Sequence, residues 1–334
     1  MTARQSGRVL AIVCPGQGSQ SPGLLAPWLE LPGVADLLAS YSEAAGTDLA
    51  AHGTTSDEDT IRDTAVAQPL IVATSLLTWR TLLDGRPGAE VAAVAAGHSV
   101  GEFAAAAVAG VLDDAGAVGL VGHRARSMAA AAALTPTGMS AVVGGDPDAV
   151  LAAIEAAGLY PANVNSPGQV VAAGTLEALA AFAENPPART RVISLKVAGA
   201  DHTPFMAPAF AEFAEVAEGW PAQDPTLPLL SDADGSAHRS RSGAGLGRGR
   251  DVLRRLAEQI VAPVRWDLCQ RTMVEMGITG MIELAPAGVL TGLARRSLPG
   301  VETVAVTSPA DLEAARDLIT RHSTTTTEET SAGL

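Results

Sequence analysis

A serine framed by glycines, Gly97-His98-Ser99-Val100-Gly101, stands between the apolar run AEVAAVAA and the small-residue run FAAAAVAGVL. The first run reads as a buried strand and the second as a helix, so the chain has to turn sharply between them. Glycines on either side of the serine let the backbone bend and let the helix approach the strand closely. The serine is then lifted clear of the sheet, next to helix N–H groups that favour developing negative charge. That is a way to present a nucleophile, and it ties the chain to a layered α/β architecture. From these five residues alone, a glycine-rich loop capped by Ser99 is the competing reading.

The rest of the N-terminal part supports the layered reading. The segment VLAIVCP forms a short buried strand, followed by the loop GQGSQ. Residues 65–84 have helical apolar spacing, with Pro69 suited to a first turn. Residues 90–97 give a second strand, and the segment from Asp113 or Asp114 onward gives another helix capped by one of those acids. Strand and helix alternate, as in an α/β sheet. Residues 138–197 change character. GMSAVVGG, NVNSPGQVVAAG and RVISLKVAG read as short strands separated by two Ala/Leu/Glu helices, which suits a ferredoxin-like subdomain. After it come a helix, the strand and turn PTLPLLSDADG, a Gly/Ser/Arg loop at 236–250, a further helix, and a last strand-turn-helix in GITGMIELAPAGVLTGLARR.

The expected fold is therefore an α/β-hydrolase-like core with a short parallel sheet plus an inserted ferredoxin-like subdomain. The core takes residues 1–135 and 199–322, and the insert takes 136–198. Residues 323–334 (STTTTEETSAGL) lack core-forming side chains and are expected to form a disordered tail.

Composition narrows the function classes. A net charge of −14 argues against a general nucleic-acid binder. No uninterrupted apolar run has the length of a membrane span, and the N-terminus leads straight into a strand-like segment. A cytoplasmic protein without membrane attachment is expected. The two cysteines, Cys14 and Cys269, are too few for a disulfide framework or a thiolate metal site.

A serine nucleophile needs a base, an orienting group for that base, and donors for an oxyanion. Of the six histidines, His98 adjoins the serine but points elsewhere on the turn, His238 lies in the arginine loop and His322 lies near the tail. His202, in VAGADHTPFM, follows a strand-like run and precedes a helix, where a sheet-edge loop would place a base. From the residues alone it is one of several candidates.

Several segments, in order, resemble the malonyl-CoA:acyl carrier protein transacylases, free-standing bacterial acyltransferases of fatty acid and polyketide synthesis. CPGQGSQ resembles that family's N-terminal glutamine loop and GHSVGE its nucleophile motif. NVNSPGQVVAAG, APVRWD and PAGVLTGLARR match further segments, so that the resemblance covers residues ~8–318. It implies that Ser99 takes an acyl group from a thioester and that His202 is its general base and later its acid. It implies an amide or backbone carbonyl at Gln259 to orient the histidine, leaving a dyad with no buried negative charge. Gln17 and the Val100 N–H would form the oxyanion hole. Arg124 would pair bidentately with the free carboxylate of malonate. Gln68, His98 and Asn165 fall beside the same site, although helix capping would also explain Gln68 and turn hydrogen bonds would explain Asn165.

The implied partners are malonyl-CoA and an acyl carrier protein. No metal or redox cofactor is implied, and a monomer is expected. Arg126, Arg295, Arg296 and the arginines of residues 239–250 are candidates for the carrier-facing charge.

The sequence departs from the family pattern at Asp201, just before the base, where Phe or Ser is usual. A carboxylate there would repel the acyl carboxylate, or would pair with Arg124 and close the malonyl site. The alternatives it raises are a transferase for another acyl group or between carrier proteins, and an editing thioesterase. Ala285-Pro286-Ala287, in place of a usual Gly-Pro-Gly, and Ala262 read as structural departures.

Overall fold

The computed structural model of the chain describes residues 9–239 and 248–322; the expected tail at 323–334, and most of the Gly/Ser/Arg loop, lie outside them. Among the described residues, ten strands in chain order make two sheets. The large sheet contains β1 (Leu10–Cys14), β2 (Val94–Gly97), β7 (Leu229–Leu230), β8 (Ala237–His238), β9 (Gly280–Glu283) and β10 (Glu302–Ala305), in the order β10-β9-β1-β2-β7-β8. All its pairs are parallel except the β7–β8 edge. β1, β2 and β9 are buried along their whole length, as central parallel strands covered by helices on both faces must be.

The helix that follows Ser99, Gly101–Val108, is buried at every residue, and its alanines let it lie close against the sheet. The helix Asp114–Ala132 begins with Asp113 accepting the Gly116 N–H at 2.6 Å, which resolves the sequence's choice of cap. The helix expected at residues 65–84 is present and differs only in the place of Pro69. It runs Thr64–Leu83 and starts at Asp63, whose side chain accepts the Ala65 N–H, so Pro69 lies inside the helix and leaves the Ala65 carbonyl without its usual donor. By length and composition this helix would cross a membrane, but most of it is buried in the core. The second strand is also shorter than expected: Pro87 starts a helical turn at Gly88–Val91, and β2 occupies only Val94–Gly97.

The second sheet is antiparallel: β3 (Thr137–Gly144), β4 (Tyr160–Ser166), β5 (Gln169–Thr175) and β6 (Thr190–Ser194), in the order β4-β5-β3-β6. With helices Pro147–Ala156 and Leu176–Glu184, its element sequence is β-α-β-β-α-β, the split arrangement expected from the sequence. Its edge strand β4 is sewn to the large domain. The Val164 N–H donates to the Val264 carbonyl at 2.8 Å, and the Val264 N–H donates to the Ala162 carbonyl at 2.9 Å. This seam places the end of β4 over the C-terminal ends of the parallel strands, where α/β sheets place their sites.

Candidate active site

Two glycines make the turn at Ser99 possible. A Cβ on Gly97 would come within 2.1 Å of the Gly101 backbone, and one on Gly101 within 2.2 Å of the Cys14 carbonyl oxygen. With strand and helix this close, Ser99 takes a left-handed backbone at φ 52°, and its Oγ emerges at the tip of the turn. His202 reaches it from the loop between β6 and the helix Ala207–Glu218, also at positive φ, 62°. The Ser99 Oγ to His202 Nε2 distance is 2.7 Å, and both side chains are buried.

The far side of the imidazole fixes its tautomer. Nδ1 lies 2.7 Å from the backbone carbonyl of Gln259, which only accepts, so Nδ1 carries the proton and Nε2 is left to accept from the serine hydroxyl. Burial, and then the charge of Arg124, push the His202 pKa down to about 3. The ring is therefore neutral at physiological pH.

Arg124 is completely buried. Its Nη1 donates to Gln68 Oε1 at 2.8 Å and its Nη2 to Gln259 Oε1 at 2.7 Å, with Ser99 Oγ 3.5 Å away. Its Nε is buried with no hydrogen-bond partner among the described residues. Burial lowers its pKa to about 10, against the opposing pull of Asp201, Asp232 and Glu102. Gln68 thus sits mid-helix as a holder of Arg124, not as a helix cap. A guanidinium held by two neutral amides, with an unused donor, is ready for an anionic ligand beside Ser99.

Asp201 makes no ion pair with Arg124 among the described residues, so of the two alternatives for Asp201 the closing bridge to Arg124 does not occur. It is half-buried, and burial raises its carboxyl to about 6 despite the pull of Arg124.

His98 turns away from Ser99. Its Nε2 lies 2.8 Å from Asn165 Oδ1 at the end of β4, and the Asn165 carbonyl accepts from Gln270 Nε2 at 2.7 Å. Burial lowers the His98 pKa. These two residues join the small sheet to the serine turn. Gln17 lies in the loop after β1, its amide 3.4 Å from Thr64 Oγ1. Among the described residues, neither the Gln17 N–H nor the Val100 N–H has an acceptor, so both are available to an oxyanion. Of the arginines expected to face a carrier, Arg126 donates to the Ala45 carbonyl, and two residues along a helix from Arg124 it faces another direction.

His202 is oriented by the Gln259 carbonyl with no carboxylate against the ring, and two acids lie instead behind the serine turn. Asp232, just past β7, accepts the Ser99 N–H on Oδ2 at 2.8 Å, and Glu102 Oε1 accepts the Asp232 N–H at 2.8 Å. Both acids are buried. The Gln259 amide bridges them, its Nε2 donating to Glu102 Oε2 at 2.5 Å, with Ser99 O at 3.1 Å and Asp232 Oδ2 at 3.2 Å. Gln259 therefore meets the histidine through its backbone alone, and its side chain ties Arg124 to the acids. Glu102 closes the GHSVGE segment, and Asp232 was not among the candidate residues. The available signal was SDADG directly after a short apolar run, an acid at the C-terminal end of a parallel strand.

Comparison with known proteins identifies the family. The acyl transferase domain family matches residues 11–320. The chain is 50% identical over 310 residues to the malonyl CoA-acyl carrier protein transacylase of Mycobacterium tuberculosis, covering 93% of this chain and 100% of that one. It is 32% identical over 315 residues to the transacylase of that name from Escherichia coli K12, covering 92% and 99%. The crystal structure of MCAT from Mycobacterium tuberculosis superposes with a TM-score of 0.84 at 49% identity, over 92% of this chain and 99% of that one. A malonyl-transacylase in complex with its type II PKS acyl-carrier protein superposes at 0.84 with 31% identity, covering 92% and 99%.

Proposed function

Because this chain belongs to the malonyl CoA-acyl carrier protein transacylase family, we propose that it moves a malonyl group from malonyl-CoA to an acyl carrier protein through an ester on Ser99. The observation that carries this reading is the 2.7 Å contact of Ser99 Oγ with a histidine whose Nδ1 is committed to a carbonyl, beside a buried arginine with a donor to spare.

The reaction follows from these groups. His202 Nε2 takes the hydroxyl proton as Ser99 Oγ attacks the thioester carbonyl, and the N–H groups of Val100 and Gln17 hold the oxyanion. The intermediate collapses by breaking the carbon–sulfur bond, and the proton passes from His202 to the departing CoA sulfur. The carrier's phosphopantetheine thiol then attacks the ester, losing its proton to His202, which returns it to Ser99 Oγ. The scheme calls on no metal or redox cofactor.

Arg124 has two parts in it. Its fork binds the free carboxylate of the malonyl group. Its charge also weakens His202 as a base, because an imidazolium beside an arginine is repelled. A malonyl carboxylate on Arg124 cancels that repulsion, so the base strengthens when a dicarboxylic acyl group is in place.

The test is a two-substrate initial-rate study with malonyl-CoA and holo-acyl carrier protein. The reading expects parallel double-reciprocal lines and malonyl recovered on the carrier thiol. Intersecting lines, or malonate released to water at the rate of thioester loss, would contradict it, the second in favour of the thioesterase that Asp201 raises as an alternative.

A further inference from the structure

We infer that Asp232 is the positioning residue for the nucleophile, holding the Ser99 peptide in its left-handed turn, and that Glu102 braces Asp232 for that task. The inference rests on the acyl-serine reading above and adds how the serine is aimed.

Ser99 has a side chain and a positive φ, a conformation that persists only where the surroundings impose it. Both of its peptide groups are held. Its N–H donates to Asp232 Oδ2, and its carbonyl accepts from Gln259 Nε2. Asp232 is itself held, because its own N–H donates to Glu102 Oε1 on the helix Gly101–Val108. Glu102 lies three residues beyond Ser99 on the helix that starts there, so the brace closes a loop from the serine turn to the end of β7 and back. Gln259 completes it: the residue whose carbonyl orients His202 also bridges Glu102 and Asp232. Nucleophile and base are thus aimed by one connected framework. Neither acid touches Ser99 Oγ or His202, and both are buried behind the turn, so they act through position.

The two acids lie among further charged groups. Burial and the charge of Asp232 push the Glu102 carboxyl well up, and burial raises Asp232 as well. Arg124 faces both acids, Arg255 faces Glu102, and Asp201 faces Arg124 from the loop before His202.

The test measures the second-order rate at which a fluorophosphonate labels Ser99, together with kcat and KM for malonyl-CoA. Fluorophosphonate needs an aimed serine but no acyl-CoA, so it reports positioning whether or not malonyl is the true acyl group. Asp232→Ala is expected to label about 10²-fold more slowly, with the same fall in kcat and an unchanged KM. Asp232→Asn, which keeps an oxygen acceptor, is expected to recover most of the lost rate. Asp232→Leu, of similar volume, makes the same comparison if the alanine variant fails to fold. Labelling of the Ala or Leu variant at the wild-type rate, or of Asn no faster than Ala, would overturn the inference. Wild-type labelling without malonyl transfer would instead overturn the acyl-group reading and leave this one standing.

Discussion

Four non-glycine residues in the described chain have positive φ, and two of them, Ser99 and His202, meet across a 2.7 Å contact. Backbone strain is concentrated where the chemistry is, and a carboxylate and a backbone carbonyl hold the two residues there. Beside them, Asp201 is the residue that sets this site apart from the usual pattern. Its carboxyl titrates near 6, raised by burial. Below that pH it is neutral and presents no charge to an acyl carboxylate on Arg124. As pH rises through 6 it ionises and repels that carboxylate, which stays ionised throughout. For a half-buried pair the repulsion is on the order of 1 kcal/mol, or roughly five-fold in affinity. KM for malonyl-CoA should therefore rise several-fold between pH 5 and 7.5 in the wild type and stay level in Asp201→Asn. Equal profiles for the two proteins would show that Asp201 does not face the acyl carboxylate. At this scale Ser99 was legible in its glycine frame, whereas His202 was one of several candidates from the residues alone and Arg124 entered only through the family resemblance. Asp232 was not legible, because its role comes from a neighbour 133 residues away and nothing in SDADG marks the partner.

The strand-turn-helix from β2 to Gly101–Val108 is the element on which the site depends. Its close approach is made by glycines, and the Gly101→Ala methyl would be driven against two backbone carbonyls, those of Cys14 and Pro15, which have no free side chain to move aside. The substitution should cost about 3 kcal/mol or more in urea unfolding, with loss of acyl transfer. A variant of wild-type stability would mean that the turn has more room than the geometry allows. This element could be read from the sequence because glycine spacing and the change from apolar run to alanine run are local signals. The β-α-β-β-α-β order of the small sheet was readable for the same reason. The place of Pro69 and the start of β2 were not. The Thr64–Leu83 helix starts earlier than Pro69 suggests because Asp63 supplies a cap stronger than the proline's preference, and β2 is short because Pro87 starts a helical turn ahead of it. In both places one capping residue outweighed the apolar pattern.

At the scale of the molecule, the two sheets act as one site because β4 is sewn to Val264 and Asn165 reaches His98. The large sheet supplies the nucleophile and Asp232, the loop leaving the small sheet brings His202, and the helix Asp114–Ala132 brings Arg124 between them. No one of these pieces carries the chemistry alone. The central claim is that Ser99 takes up the acyl group and Arg124 chooses it. Intact-protein mass spectrometry after brief exposure to an equimolar mixture of malonyl-, methylmalonyl-, acetyl- and butyryl-CoA tests it most directly, with wild type, Ser99→Ala and Arg124→Ala run in parallel and chased with holo-acyl carrier protein. The expected result is one malonyl adduct on the wild type that passes to the carrier, no adduct on Ser99→Ala, and loss of malonyl preference on Arg124→Ala. A wild-type adduct of acetyl or butyryl, or a malonyl adduct that survives in Ser99→Ala, would contradict the account.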